Sequence, residues 1–251
     1  MFEVSFIPAF KDNYIWLLQR DRRAFVVDPG DAAPVVARLE ADGLALEGIL
    51  ITHHHADHQG GVGELIRRSP VPVFAPAAES ITGSSHPLFG GETITVLGCT
   101  VQVMAVPGHT AGHLAYVAGD RLFCGDTLFG AGCGRLFEGT PAQMAASLDT
   151  LAALPLATLV HCAHEYTEAN LRFALAVEPD NQAVHARVAR VAGLRAAGQS
   201  SVPSMLAEEL ATNPFLRCRE PGVIAAAMRE GAVDASPVAV FAAIRAWRNR
   251  F

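Results

Sequence analysis

An α/β domain followed by a smaller all-helical domain is the fold class that this sequence predicts. Short strand-like runs alternate with helical patterns up to about residue 167, and no convincing strand lies beyond it. Four of the runs end in residues able to bind a metal. Strands interleaved with helices imply sheet covered by helices on its outer faces, because each element must bury one apolar face. The expected boundary divides residues 1–167 from 168–251.

The strand-like runs are Val4–Ile7, Tyr14–Leu18, Phe25–Asp28, Ile49–Thr52, Val71–Phe74, Thr93–Leu97, Val101–Val106, Leu114–Val117, Leu122–Cys124 and Leu159–His161. Gly, Pro, Asp or Asn bound most of them, the residues that punctuate strands. Pro34–Asp42, Gly63–Arg68 and Pro141–Ala153 read as helices, the last with Met144, Leu148 and Leu151 on one face. After residue 167, helices are expected at Glu168–Val177, Asn181–Ala197, Ser204–Ala211 and Pro237–Asn249. In the second of these, Val184, Val188, Val191 and Leu194 trace an apolar face and Gly198 offers a C-terminal cap. The final helix opens with Ser236 as N-cap and Pro237 in the first turn.

Composition narrows the function classes. The 251 residues are 51% hydrophobic with a net charge of -6, the balance of an ordinary globular chain. No block of basic residues exists to neutralise phosphates, so nucleic acid is not an expected partner. Nor is a membrane, since no apolar run is long enough to span one and the start lacks a signal-peptide pattern. Cys99, Cys124, Cys133, Cys162 and Cys218 are odd in number and widely spaced, which fits neither a disulfide framework nor a thiolate zinc site. The expected location is the cytoplasm. Lys11 is the one lysine, so any anion site must be built from arginine.

The chemistry is concentrated at Thr52-His53-His54-His55-Ala56-Asp57-His58, which comes directly after the apolar run Ile49–Ile51 and precedes Gly60-Gly61. A strand ending in imidazoles and a carboxylate offers nitrogen and oxygen donors suited to a divalent cation. Three further strand ends repeat the arrangement, with Gly108-His109, Gly125-Asp126 and His161-Cys162-Ala163-His164. His53, His55, Asp57, His58, His109, Asp126 and His164 are too many donors for one tetrahedral ion and suit two ions sharing a carboxylate, for which Asp126 is the natural bridge. Two such ions hold a hydroxide that attacks an electrophilic centre, so hydrolysis is the implied reaction, with Asp57 and Asp126 its catalytic carboxylates.

Other histidines are set apart. His54 points away from His53 and His55 if the segment is extended, and a supporting role is expected. His113 is expected in the core or behind a ligand. His86, His161 and His185 carry no partner motif. Asp28 is either a turn residue or an acceptor for a ligand imidazole.

Thr52–His58 with His109, Asp126 and His164 resembles the metallo-β-lactamase superfamily, and further segments narrow the resemblance to glyoxalase II, the hydroxyacylglutathione hydrolases. Those segments are Ile7-Pro8-Ala9-Phe10, Asp12–Trp16, Gly125–Phe129, Gly132–Thr140, His164-Glu165-Tyr166-Thr167, Glu178–Asn181, Asn213–Arg217 and Arg245–Asn249. The resemblance implies a four-layer αβ/βα sandwich followed by a helical domain that contributes to a glutathione site. It assigns His53, His55 and His109 to one metal, Asp57, His58 and His164 to the other, and Asp126 to both. Zinc is the first expectation, with iron or manganese as alternatives. The implied activity is hydrolysis of S-(2-hydroxyacyl)glutathione thioesters such as S-D-lactoylglutathione, the second step of methylglyoxal detoxification, by a monomer.

In that family basic residues hold the glutathione carboxylates, a role that falls here to Arg135, Arg245 and Arg248, with Phe137 and Tyr166 as further substrate contacts. Three positions depart from the pattern in two ways. Arginine replaces the common lysine at Arg135 and Arg248, and Phe137 stands where tyrosine is common and cannot supply its hydroxyl. The rival readings are a one-iron persulfide dioxygenase-like enzyme or a lactonase of the same fold, and a metal-stabilised binding protein. The full seven-donor set and the basic last helix speak against them.

Overall fold

The structure is a computed structural model that describes residues 2–251. By internal contacts it divides into two compact units, one formed by the chain up to Val106 together with Thr110–Gly125, the other by Pro107–His109 together with Asp126–Phe251. This division falls elsewhere than residue 167. It groups His109 and Asp126 with the C-terminal part.

The first unit contains β1 (Glu3–Ala9), β2 (Asn13–Arg20), β3 (Arg23–Val27), α1 (Ala32–Asp42), β4 (Ala45–Leu50), α2 (Ala56–Gln59), α3 (Val62–Arg68), β5 (Val73–Pro76), β6 (His86–Leu88), β7 (Thr93–Val96), β8 (Cys99–Ala105), β9 (Leu114–Ala118) and β10 (Arg121–Gly125). Strands β1 to β6 form one sheet in sequential order, antiparallel as far as β3 and parallel from β3 to β6. The parallel step from β3 to β4 needs a crossover, which α1 supplies. Asp31 caps α1 by accepting from the Ala33 amide, and Gly43 ends it at φ 62°. Ile15, Leu17, Val26, Ile49 and Ile51 form a core with Val35 of α1 and Val62 and Leu65 of α3. Truncating one of these fully buried side chains, Leu17 for example, costs about 2–5 kcal/mol.

Strands β7 to β10 form an antiparallel meander with ordered register. Contacts that join it to the first sheet include the Tyr116 hydroxyl donating to the Ile51 carbonyl at 2.6 Å, Trp16 meeting Phe123 edge-on at 6.5 Å and Arg20 donating to the Leu97 carbonyl at 3.2 Å. Because β3 and β4 are parallel with Val27 opposite Leu50, the residues just beyond them emerge at the same sheet edge. That topology brings Asp28 to the histidine-rich loop.

The second unit contains β11 (Leu128–Phe129), β12 (Gly132–Cys133), α4 (Pro141–Ala152), β13 (Leu159–Cys162), α5 (Thr167–Val177), α6 (Gln182–Ala196), β14 (Ser204–Met205), α7 (Leu206–Thr212), α8 (Pro221–Arg229) and α9 (Pro237–Arg250). A capping box between Thr140 and Gln143 starts α4, and Met144, Leu148 and Leu151 are buried as their spacing predicts. Asn181 caps α6 with bonds from the Ala183 and Val184 amides, and Ser236 caps α9. Leu171 and Ala174 of α5 pack against Val184 and Val191 of α6 around Ala131. Within this apolar layer, Arg187 and Glu209 form a buried ion pair at 2.5 Å, with the Arg187 side chain 1% and the Glu209 side chain 0% exposed. Removing one partner would strand the other charge, at a cost of about 3–5 kcal/mol.

All the longer expected strands and helices are present, with ends shifted by a few residues. The differences are short or weakly patterned elements. Helix α8 is short and alanine-rich, burying Val223, Ala226 and Ala227 on one face, and β14 is a two-residue strand paired with β13 where the sequence predicts a helix start. Ser204 and Met205 pair with Val160 and Leu159, so the helix begins two residues later, at Leu206, and the Ser204 hydroxyl donates to Glu209. No described helix is long and apolar enough to cross a membrane. Among the described residues no disulfide is formed.

Candidate functional site

In the first unit β4 ends at Leu50 and the chain runs extended through His55, whose backbone lies at φ -61° and ψ 146°, before turning into α2. Gly30 permits this turn, since a Cβ there would lie 1.9 Å from the Asp57 carbonyl oxygen. His53 and His58 are buried, His55 is half-buried and the Asp57 side chain is 42% exposed. The nitrogens His53 Nε2 and His55 Nδ1 stand 3.0 Å apart, and His58 Nε2 lies 3.5 Å from Asp57 Oδ2. His53 also meets the ring of His58, with centres 4.0 Å apart, so the four side chains form one continuous cluster.

The outward nitrogens are fixed by the strand edge. Asp28, itself at φ 53°, accepts from the Thr52 amide at 2.8 Å, the Thr52 hydroxyl at 2.7 Å and His58 Nδ1 at 3.0 Å. The Thr52 oxygen in turn accepts from His53 Nδ1 at 3.0 Å. Both rings are thereby held with Nε2 as the inward lone pair, the arrangement that orients histidine toward a cation. Of the two roles open to Asp28 in the sequence, the structure gives it the acceptor role and the strained turn together.

His54 bonds Glu79 at 3.0 Å, and Glu79 also accepts from the Thr110 hydroxyl at 2.5 Å and the Gly112 amide at 3.0 Å. It braces the loop from outside, as expected. His113 is fully buried and stacks on His53 at 4.6 Å. Asn13 donates to Asp57 Oδ2 at 3.0 Å. Neither Asn13 nor Glu79 is among the site residues that the sequence predicts. The first lies in the Asp12–Trp16 segment, where a polar asparagine opening an apolar strand is its signal, and the second carries none.

In the second unit Asp126 lies just past β10 and is buried. Its Oδ2 lies 3.4 Å from His109 Nε2 and its Oδ1 3.3 Å from His164 Nε2. One carboxylate therefore meets a different imidazole with each oxygen. His109 Nδ1 donates to the Arg135 carbonyl at 2.8 Å, which sets its ring, and Phe137 packs edge-on against it at 5.3 Å. His164 stacks on Tyr166 with ring centres 4.7 Å apart. Gly134 is required at its position, because a Cβ would meet the Asp126 carbonyl oxygen at 2.0 Å.

A cavity of about 450 Å³ opens on this group, lined by His109 and Asp126 and also by Arg135, Phe137, Tyr166, Arg245 and Arg248. Every substrate contact expected from the sequence borders it. Cys133 of the Gly132–Thr140 segment borders it too, as does Asn170, which no sequence motif points to. Arg248 donates to Asn170 Oδ1 at 3.3 Å and lies 5.8 Å from the Phe173 ring centre. Arg245 is buried and donates to the Cys133 carbonyl at 2.9 Å, so it anchors α9 to the hairpin as well as lining the cavity. Burial first, then the charges of Arg245, Arg135 and Arg172, push the Arg248 guanidinium below its ordinary value. A bound anion would relieve that repulsion. Burial likewise pushes the Cys133 thiol up, against the opposing pull of Arg245.

Comparison with known proteins puts these features in context. The metallo-beta-lactamase superfamily profile matches residues 10–164, and that of the hydroxyacylglutathione hydrolase C-terminus matches 165–251. A hydroxyacylglutathione hydrolase of Dechloromonas aromatica is 69% identical, and one of Methylobacillus flagellatus 57% identical, each over the whole of both chains. Among solved structures, ETHE1 from Myxococcus xanthus superposes with a TM-score of 0.68 at 25% identity, covering 99% of this chain and 98% of its own. TTHA1623 in a di-iron-bound form gives 0.54 at 29% identity over 64% of this chain and 91% of its own.

Proposed function

The chain belongs to the hydroxyacylglutathione hydrolase family, thioester hydrolases of the metallo-β-lactamase fold, and from that premise we propose that its substrates are S-(2-hydroxyacyl)glutathione thioesters such as S-D-lactoylglutathione. The products are then D-lactate and glutathione, the second step of methylglyoxal detoxification. The observation that carries the reading is Asp126, with one imidazole on each oxygen and a pocket of arginines around it.

The seven nitrogen and oxygen donors, with no thiolate among them, fit a pair of divalent cations of borderline hardness, and the fixed Nε2 lone pairs of His53, His58 and His109 support that fit. His53, His55 and His109 would hold one cation, Asp57, His58 and His164 the other, and Asp126 both; zinc is the first choice, iron or manganese the alternatives. Bound there, the pair would supply an activated water and a Lewis acid for the thioester carbonyl.

The chain's own groups do the rest. Asp57 and Asp126 are the carboxylates at the reacting end, and Asn13 holds the first of them by its Oδ2. Arg135, Arg245 and Arg248 recruit the glutathione carboxylates to a chain that is acidic overall, and a guanidinium can do so with two parallel bonds. Tyr166 offers a hydroxyl beside the stacked His164, while Phe137 closes the wall by shape alone. The glutathione thiolate leaves without a strong acid, since an ordinary thiol ionises at about pH 8.5. In this proposal residues 1–167 form the catalytic domain and 168–251 contribute to the glutathione site. The protein works as a cytoplasmic monomer without nucleic acid or membrane partners.

Metal content measured beside thiol release from S-D-lactoylglutathione tests the proposal. The expected result is about two divalent ions per chain, as a two-metal hydrolase requires, and one thiol per thioester cleaved. Metal-loaded protein that releases no thiol would overturn it.

A further inference from the structure

Strands β11 and β12 are two residues each, joined by Gly130 and Ala131, and a pair this short does not hold itself. Ala131 adds strain, since its φ of 52° is one that residues other than glycine rarely adopt. Four consecutive residues of this hairpin are instead bonded by side chains of the helical region. Asn170 donates to the Gly130 carbonyl at 3.0 Å. Glu209 Oε2 accepts the Ala131 amide at 2.8 Å. The side-chain amide of Asn213, at the end of α7, donates to the Phe129 carbonyl at 3.2 Å and the Gly132 carbonyl at 2.9 Å, and bonds Glu209 Oε2 at 3.2 Å.

The hairpin carries the pocket. Phe129 lines it and meets His164 and Tyr166 edge-on at 5.8 and 5.4 Å. Cys133, at the other end, lines it too and offers its carbonyl to Arg245. Asn213 and Glu209 are both 0% exposed and form no part of the cavity wall, so they act on substrate only through neighbours: chiefly the hairpin, and beside it Phe215, whose amide donates to Asn213 Oδ1 at 3.1 Å and whose ring lies under Arg245.

We propose that Asn213 and Glu209 are positioning residues for substrate binding. By fixing the backbone of residues 129–132 they set Phe129 against Tyr166 and Arg245 against Cys133, and so the shape and the cationic wall of the pocket. The inference rests on the glutathione-thioester reading above. It goes beyond that reading in assigning substrate affinity to a buried polar pair outside the pocket.

The test compares Asn213→Ala with Thr212→Ala. Thr212 belongs to the same buried cluster, accepting from Arg187 at 2.6 Å and donating to the Glu208 carbonyl, but makes no bond to the hairpin. Both variants should lower the melting temperature. Only Asn213→Ala should raise KM for S-D-lactoylglutathione, by about fivefold or more with kcat changed less than about twofold, as a lost preorganising contact would. Calorimetric binding of S-methylglutathione, which cannot be hydrolysed, should weaken by the same factor. A KM and binding constant within about twofold of the parent in Asn213→Ala, or an equal rise in Thr212→Ala, would overturn the inference. If Asn213→Ala does not fold, Asn213→Ser, which keeps one donor, should show a rise of about two- to threefold, and parental values there would overturn it equally. Absence of hydrolysis in the parent protein would count against the functional reading alone, because the calorimetric comparison needs no turnover.

Discussion

The two units present their donors in opposite ways. In the first, His53, His55, Asp57 and His58 lie together on one loop, and distant side chains, Asp28 and Asn13, hold them. In the second, His109, Asp126 and His164 come from positions far apart in sequence, and His109 and Asp126 are set by the backbone of the loop that follows Asp126, through the Arg135 carbonyl and the close approach that Gly134 allows. A donor cluster in sequence thus needs tertiary bracing, whereas donors gathered by the fold are braced by the loops that gather them. The second unit also carries the cationic pocket, where the proposed substrate recognition is concentrated.

This contrast can be broken or sharpened by substitution. The largest effect is expected for Asp126→Ala. It removes the carboxylate that meets both His109 and His164, so thioester hydrolysis should fall by about a thousandfold or more and metal content should drop. Undiminished activity would sink the two-metal assignment. Next comes Asp28→Asn, a change in the bracing alone. Its amide cannot accept from His58, the Thr52 hydroxyl and the Thr52 amide together, and metal affinity measured against a competing chelator should weaken by about 10–100-fold. If affinity held, the ligand loop would be self-supporting and the contrast wrong.

Arg248→Ala probes the other unit. With one cation of the pocket gone, KM should rise by about tenfold while kcat stays near the parental value, the pattern of lost uniform binding. A large loss of kcat at unchanged KM would put Arg248 in the chemistry instead. The smallest effect is expected for Phe137→Tyr, where a hydroxyl is added to an exposed ring packed on His109. KM should fall by about two- to threefold if that hydroxyl reaches glutathione, a gain typical of one hydrogen bond; an unchanged KM would mean that shape suffices there.

Much of this architecture is legible in the amino-acid sequence. Strand-end donors can be read because a strand delivers its next residues to a rigid edge, and the longer elements carry clear periodicity. Arg187 and Glu209 are not legible, since on α6 and α7 they look like solvated helix charges, and only packing of the helices shows that they face each other. Arg245 and Arg248 look equivalent at i, i+3 spacing. Their burial divides them into an anchor for the hairpin and a half-buried cation.

The sequence by itself determined the donor types, the strand ends that carry them, the predominantly helical C-terminal region and the arginine character of the proposed anion site. These depend on residue identity and local period, which one chain displays. The tertiary structure decided that Asp28 braces His58 directly and His53 through Thr52, that Asp126 meets one imidazole with each oxygen, and that the helical region holds the β11–β12 hairpin by its backbone. Those are contacts between residues distant in the chain, fixed by parallel strand order and helix packing, and no local pattern encodes them.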